Sequence, residues 1–109
     1  MTENQSLTDA DGILVRLVTQ ADVLGASVLE IEYSHGKEEV CAIFESMGIG
    51  IASLPSSGDE AVALRDVLYS HRRKPLTLTF AGQKRVKLTV KTYDSFGETA
   101  YRVTIHESA

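Results

Sequence analysis

The sequence has one cysteine, no long apolar run and no phosphate-binding loop, and each absence closes a class of function. Cys41 cannot form an internal disulfide and supplies too few sulfur ligands for a structural zinc site, so a reduced thiol on a strand is expected. Without a long apolar stretch or a basic-then-apolar leader, the chain is expected to be cytoplasmic and not to insert into a membrane. No Gly-x-x-x-x-Gly-Lys-Ser/Thr run occurs, which excludes a P-loop for a nucleoside triphosphate. The stretch Gly48-Ile49-Gly50-Ile51-Ala52-Ser53 lacks the third glycine of a dinucleotide loop, and Pro55 separates it from the next helix.

Histidines are equally sparse. His35, His71 and His106 fall in a turn, at a helix end and on a last strand, with no spacing that would gather them round a metal. A Cys–His nucleophile pair would need Cys41 in an electropositive pocket, yet its sequence neighbours Glu38, Glu39 and Glu45 disfavour the thiolate. No metal, no cofactor and no enzymatic activity are expected.

What is present is an ordinary globular composition: 109 residues, 43% hydrophobic and 24% charged, enough for one domain with one core. No repeat, low-complexity tract or linker divides it, so a polar tail at 1–7 and one domain over 8–109 are expected. The net charge of −4 conceals an asymmetry, because residues 1–70 hold 3 Lys/Arg against 12 Asp/Glu and residues 71–109 hold 8 against 3. Such halves pair with each other across the fold, join two copies, or attract a partner of opposite charge.

Helical spacing of Ile13, Leu14, Leu17, Val18, Ala21 and Leu24 predicts a first helix over about 9–24, with Thr8-Asp9-Ala10-Asp11 as its capping box and Gly25 as its stop. Leu29, Ile31 and Tyr33 then alternate with Glu30 and Glu32 as a strand. The turn residues Ser34-His35-Gly36-Lys37 lead into a second strand, with Val40, Ala42 and Phe44 facing one way. Met47 to Pro55 reads as either a short bent strand or a crossover loop. Ser57-Gly58-Asp59-Glu60 has capping-box spacing for a second helix bearing Ala61, Leu64, Val67 and Leu68, which Pro75 ends. Arg72-Arg73-Lys74 then sits where cations favour the helix's negative end, or where they contact a phosphate or an acidic partner.

Three further strands are expected: Leu76 to Phe80, Arg85 to Tyr93, and Ala100 to His106, joined by turns at Ala81-Gly82-Gln83-Lys84 and Asp94-Ser95-Phe96-Gly97. The predicted class is α+β, an antiparallel sheet of about five strands with two helices on one face. The strip Lys84, Arg85, Lys87, Lys91 and Arg102 would form a basic sheet face. An RNA-reading sheet would set exposed aromatics among those cations, whereas Tyr101 joins the apolar alternation and Tyr93 and Phe96 flank a turn, where core or hairpin packing is expected. Nucleic acid is therefore disfavoured.

The run Gly25-Ala26-Ser27-Val28-Leu29-Glu30-Ile31-Glu32-Tyr33 resembles the Gly-Ala-Ser-Asp-Ile-His-Ile-Glu-Pro signature in the amino-terminal domain of type II secretion and type IV pilus assembly ATPases. Gly48 is similar to the glycine ending that family's Arg-x-Arg-Ile-Asp-Gly strand, Leu54-Pro55 to its crossover, and Val86 to Val90 through Gly97-Glu98 to Tyr101-Arg102-Val103 to its closing hairpin. The resemblance covers roughly 9–106 and implies a PAS-like domain. The family's ATP-contacting arginines correspond here to Ile43, Glu45 and Thr89, and its signature Asp and His to Val28 and Glu30. A glutamate repels phosphate, so the resemblance implies a scaffold that has lost the nucleotide role. The expected function is non-catalytic: an adaptor for a secretion or pilus component, or a self-associating module, with Arg72, Arg73, Arg85, Lys87, Lys91 and Arg102 meeting a protein partner or a second copy. The alternative is a PAS-like sensor holding a small ligand between helices and sheet.

Overall fold

The computed structural model describes residues 9–80 and 84–107. In chain order it contains α1 (Asp9–Leu24), β1 (Val28–Ser34), β2 (Lys37–Phe44), β3 (Met47–Pro55), α2 (Asp59–Ser70), β4 (Leu76–Phe80), β5 (Lys84–Ser95) and β6 (Glu98–Glu107). The tail at 1–7, the cap at Thr8 and the turn at 81–83 lie outside the described residues.

Ile13, Leu14, Leu17, Val18 and Ala21 are buried along one stripe of α1, and Leu24, the last of the expected series, is half exposed where the helix runs out. Gly25 takes φ +79, a left-handed conformation that costs glycine nothing. Its N–H donates to the Asp22 carbonyl at 3.0 Å, and that of Ala26 donates to the Ala21 carbonyl at 2.9 Å. This pair of bonds is a Schellman cap, so the stop read from Gly25 is made by the backbone as well.

Helix α2 departs from its predicted cap. Its N-cap is Gly58, with no side-chain cap bond. Ser57 lies one residue too early, and Glu60 instead reaches across to Arg16 of α1 at 2.7 Å. The helix also ends at Ser70, so Arg72, Arg73 and Lys74 follow it rather than occupying its last turn.

The six strands form one antiparallel sheet in the order β3-β2-β1-β6-β5-β4. Two three-strand meanders, before and after α2, thus meet through the central pair β1 and β6. The stretch read as strand or loop is the nine-residue β3, which raises the expected count of about five to six. Between Val40 and Cys41 the register with β3 slips: Val40 faces Ala52 and Cys41 faces Gly50, leaving Ile51 as the extra residue of a bulge. The turns at His35-Gly36 and Phe96-Gly97 have positive φ at both residues, the backbone twist that two-residue hairpins need.

Leu29, Ile31, Val40, Ala42, Val86, Leu88, Val103 and Ile105 share one core with the apolar stripes of both helices. The helices therefore cover one sheet face. Glu38 is the buried charge among the described residues, 4% exposed. Arg65 of α2 donates to its carboxylate at 3.0 Å, and Ser56 donates to the same oxygen at 3.3 Å, tying β2 to α2 through the core.

Candidate functional site

The period of two along each strand sends alternate side chains away from the helices onto a face that no described element covers. The register carries one row across it: Lys91 on β5 faces Arg102 on β6, Arg102 faces Glu30 on β1, Glu30 faces Cys41 on β2, and Cys41 faces Gly50 on β3. Charge is largely sorted across that face, with Lys37 at the start of β2 and Glu98 at the start of β6 as the exceptions. Arg85, Lys87 and Lys91 stand exposed on β5, while Glu30, Glu32 and Glu39 stand on β1 and β2.

Two contacts stitch the seam. Arg102 donates through both Nε and Nη2 to Glu30 Oε2 at 2.8 Å, with its guanidinium 4.9 Å from the Tyr93 ring centre. Tyr93 sends its hydroxyl past β6 to Glu32 Oε2 at 2.6 Å. Ala100, its partner on β6, is fully buried although it belongs to the uncovered face. Burial and then the Glu32 carboxylate hold the Tyr93 phenol well above its ordinary pKa.

The acidic half forms a shallow groove of about 320 Å³ that includes Glu30, Glu32, Glu39, Cys41 and Ile43. The Cys41 thiol is pushed up, first by burial and then by Glu30, Glu32 and Glu39. The direction matches the sequence reading, but the agents differ. Of the three glutamates expected to act, Glu39 does so, while Glu38 points into the core and Glu45 sits in the turn at φ +60.

The basic half continues round the sheet edge. β4 begins level with Leu88, so past it β5 is paired on one side only, with β6, among the described residues, and the loop after α2 comes beside its start. Arg72, Arg73 and Lys74 of that loop, with Thr89 and Lys91 of β5, enclose a notch of about 280 Å³. Arg72 is partly engaged, donating to the Tyr69 carbonyl at 2.8 Å and stacking 3.7 Å over the Tyr69 ring.

The six cations singled out in the sequence therefore separate into three settings. Arg85, Lys87 and Lys91 line one strand of the open face without an acidic partner among the described residues. Arg102 is neutralised at the seam, and Arg72 and Arg73 belong to the notch, with Lys91 shared between notch and face. Lys74 joins Arg72 and Arg73 in the notch, as their cluster in the sequence suggests, whereas the acidic half is not among the expected contacts; its signal in the sequence is the alternation of Glu30 and Glu32 on β1. Among the aromatics Tyr101 is buried as expected, but Phe96, expected to pack on the hairpin, is wholly exposed because positive φ at the turn tip aims it outward.

The histidines lie apart in kind. His35 Nδ1 meets Ser34 Oγ, His71 Nδ1 meets the Val67 carbonyl, and His106 Nε2 meets Thr89 Oγ1. Among the described residues no group of three potential metal ligands forms, and no described helix is long and apolar enough to cross a membrane. No protein-family model and no curated protein sequence matches the chain.

Proposed function

We propose that this chain is a non-catalytic interaction domain that docks through the uncovered sheet face onto a protein of opposite charge or onto a second copy of itself. The observation that carries this reading is the sorting of that face into a glutamate half and a lysine–arginine half. Charges that served only the fold would be paired, as Arg102 is with Glu30. Arg85, Lys87 and Lys91 have no such acid among the described residues, and exposed like charges on one strand contribute nothing favourable to the monomer. They do speed and orient an encounter with an acidic surface.

The resemblance to secretion and pilus ATPase amino-terminal domains supports a narrower form of the proposal: a cytoplasmic, PAS-like adaptor for a secretion or pilus component. The open hydrophobic core of a sensor is less well supported, since Leu14, Val18, Leu29, Ile31, Leu64 and Leu88 are all fully buried between helices and sheet.

The test compares wild type with an Arg85→Glu/Lys87→Glu/Lys91→Glu variant in partner capture and in sedimentation. Association that weakens with salt and disappears in the variant supports the face. Equal association by both proteins at low salt would falsify it.

A further inference from the structure

Strand β5 is paired with β6 along most of its length, but β4 accompanies only its first five residues, Lys84 to Leu88. Residues 89–95 therefore have no strand on their outer side among the described residues. Alternate backbone N–H and C=O groups of an antiparallel strand point away from its one neighbour, so this stretch presents unused donors and acceptors. The opposite edge is different in character. β3 carries Gly48, Gly50, the bulge at Ile51 and Pro55, features that spoil a template for pairing.

The open stretch of β5 begins inside the basic notch. Thr89, Val90 and Lys91 line it from the strand, and Arg73 and Lys74 from the loop. None of these three cations has an acidic partner among the described residues, in contrast to Arg16, Arg65 and Arg102, each bonded to a glutamate. An open strand edge supplies hydrogen bonds without regard to sequence; three uncompensated cations at one end of it select for carboxylates.

From this juxtaposition we infer that residues 89–95 accept an extended acidic segment of a partner protein as a seventh strand, with its carboxylates seated against Arg73, Lys74 and Lys91. This rests on the reading of the domain as an interaction module and adds a contact at the sheet edge to the one proposed for its face. A second copy is a poorer occupant, because the only carboxylate its own edge brings is Asp94.

The probe is the synthetic peptide acetyl-Thr-Val-Thr-Val-Glu-Val-Glu-Glu-amide, titrated into the full chain at low salt while backbone amide shifts and amide hydrogen exchange are followed by NMR. The expected result is shift and protection confined to residues 89–95 and the 71–74 loop. The same peptide with Gln for Glu should bind about ten-fold more weakly, and Arg73→Glu/Lys74→Glu should lose binding while melting like wild type. Equal binding of the Gln peptide, or no shift at all, overturns the inference. Shifts confined to Glu30, Glu39, Lys87 and their neighbours overturn the edge and leave the face reading intact. Concentration-dependent shifts of 89–95 without peptide hand the edge to a second copy and also overturn it.

Discussion

Tyr93 and Glu32 lie on strands that are not neighbours, yet the phenol donates to the carboxylate at 2.6 Å across β6. The bond therefore braces the middle of the sheet on its unsupported face. It also holds the seam between the acidic and basic halves, since Arg102 sits over the same ring.

This relationship has an alkaline signature. The Tyr93 phenol is raised, so between its unfolded value near 10 and its higher folded value the unfolded chain loses a proton that the folded chain keeps. The contribution of this phenol to stability is accordingly complete below about pH 10 and is lost as pH rises beyond it. Tyr101, raised chiefly by burial, acts in the same direction. Thermal melting from pH 8 to 11.5 should show Tyr93→Phe about 1 kcal/mol less stable at pH 8 but with a shallower alkaline decline. An unchanged decline in Tyr93→Phe would place the effect elsewhere.

The buried pair of Glu38 and Arg65 should respond unequally to loss of either partner. Arg65→Met leaves a carboxylate that is 5% exposed with only Ser56 to solvate it, whereas Glu38→Gln leaves a guanidinium that is 30% exposed. Urea unfolding should show Arg65→Met costing about 3 kcal/mol and Glu38→Gln about 1 kcal/mol. The reverse order would mean that Glu38 is better solvated than its burial indicates.

Cys41 should be a slow nucleophile. Burial and the three glutamates of the groove raise its pKa, so less thiolate exists near neutrality than for a free cysteine. Alkylation by iodoacetamide at pH 8 should run slower in the folded chain than in urea. Glu39→Gln should accelerate it with little effect on melting. Faster reaction in the folded state would refute the acidic groove as its setting.

Gly25 should tolerate no side chain cheaply. At φ +79 an alanine is strained, and its Cβ would lie 3.4 Å from the Phe44 ring. Gly25→Ala should lower stability by about 1–2 kcal/mol in chemical denaturation, with Gly25→Asn milder because asparagine accepts the left-handed region more readily.

Much of the fold was legible because period and burial agree. The stripe from Ile13 to Ala21 and the alternation of Tyr101, Val103 and Ile105 each read directly as elements. β3 was ambiguous for a physical reason: the bulge sets two consecutive residues, Ile51 and Ala52, against the core ahead of Leu54, which breaks the period of two. The outward cations of β5 were legible for the same reason as the core. Their fates were not, because the pairing of Arg102 with Glu30 joins residues 72 apart, and the notch depends on where β4 starts against β5. Local periodicity carries no information about either.

The bulge at Ile51 has a consequence for stoichiometry. A sheet with two receptive edges can add copies end to end without limit and grow into a filament. Here Gly48, Gly50, Ile51 and Pro55 interrupt one edge while residues 89–95 leave the other available. If a partner strand adds as proposed, extension is one-sided and ends after a single event, which would give a closed one-to-one complex instead of a polymer.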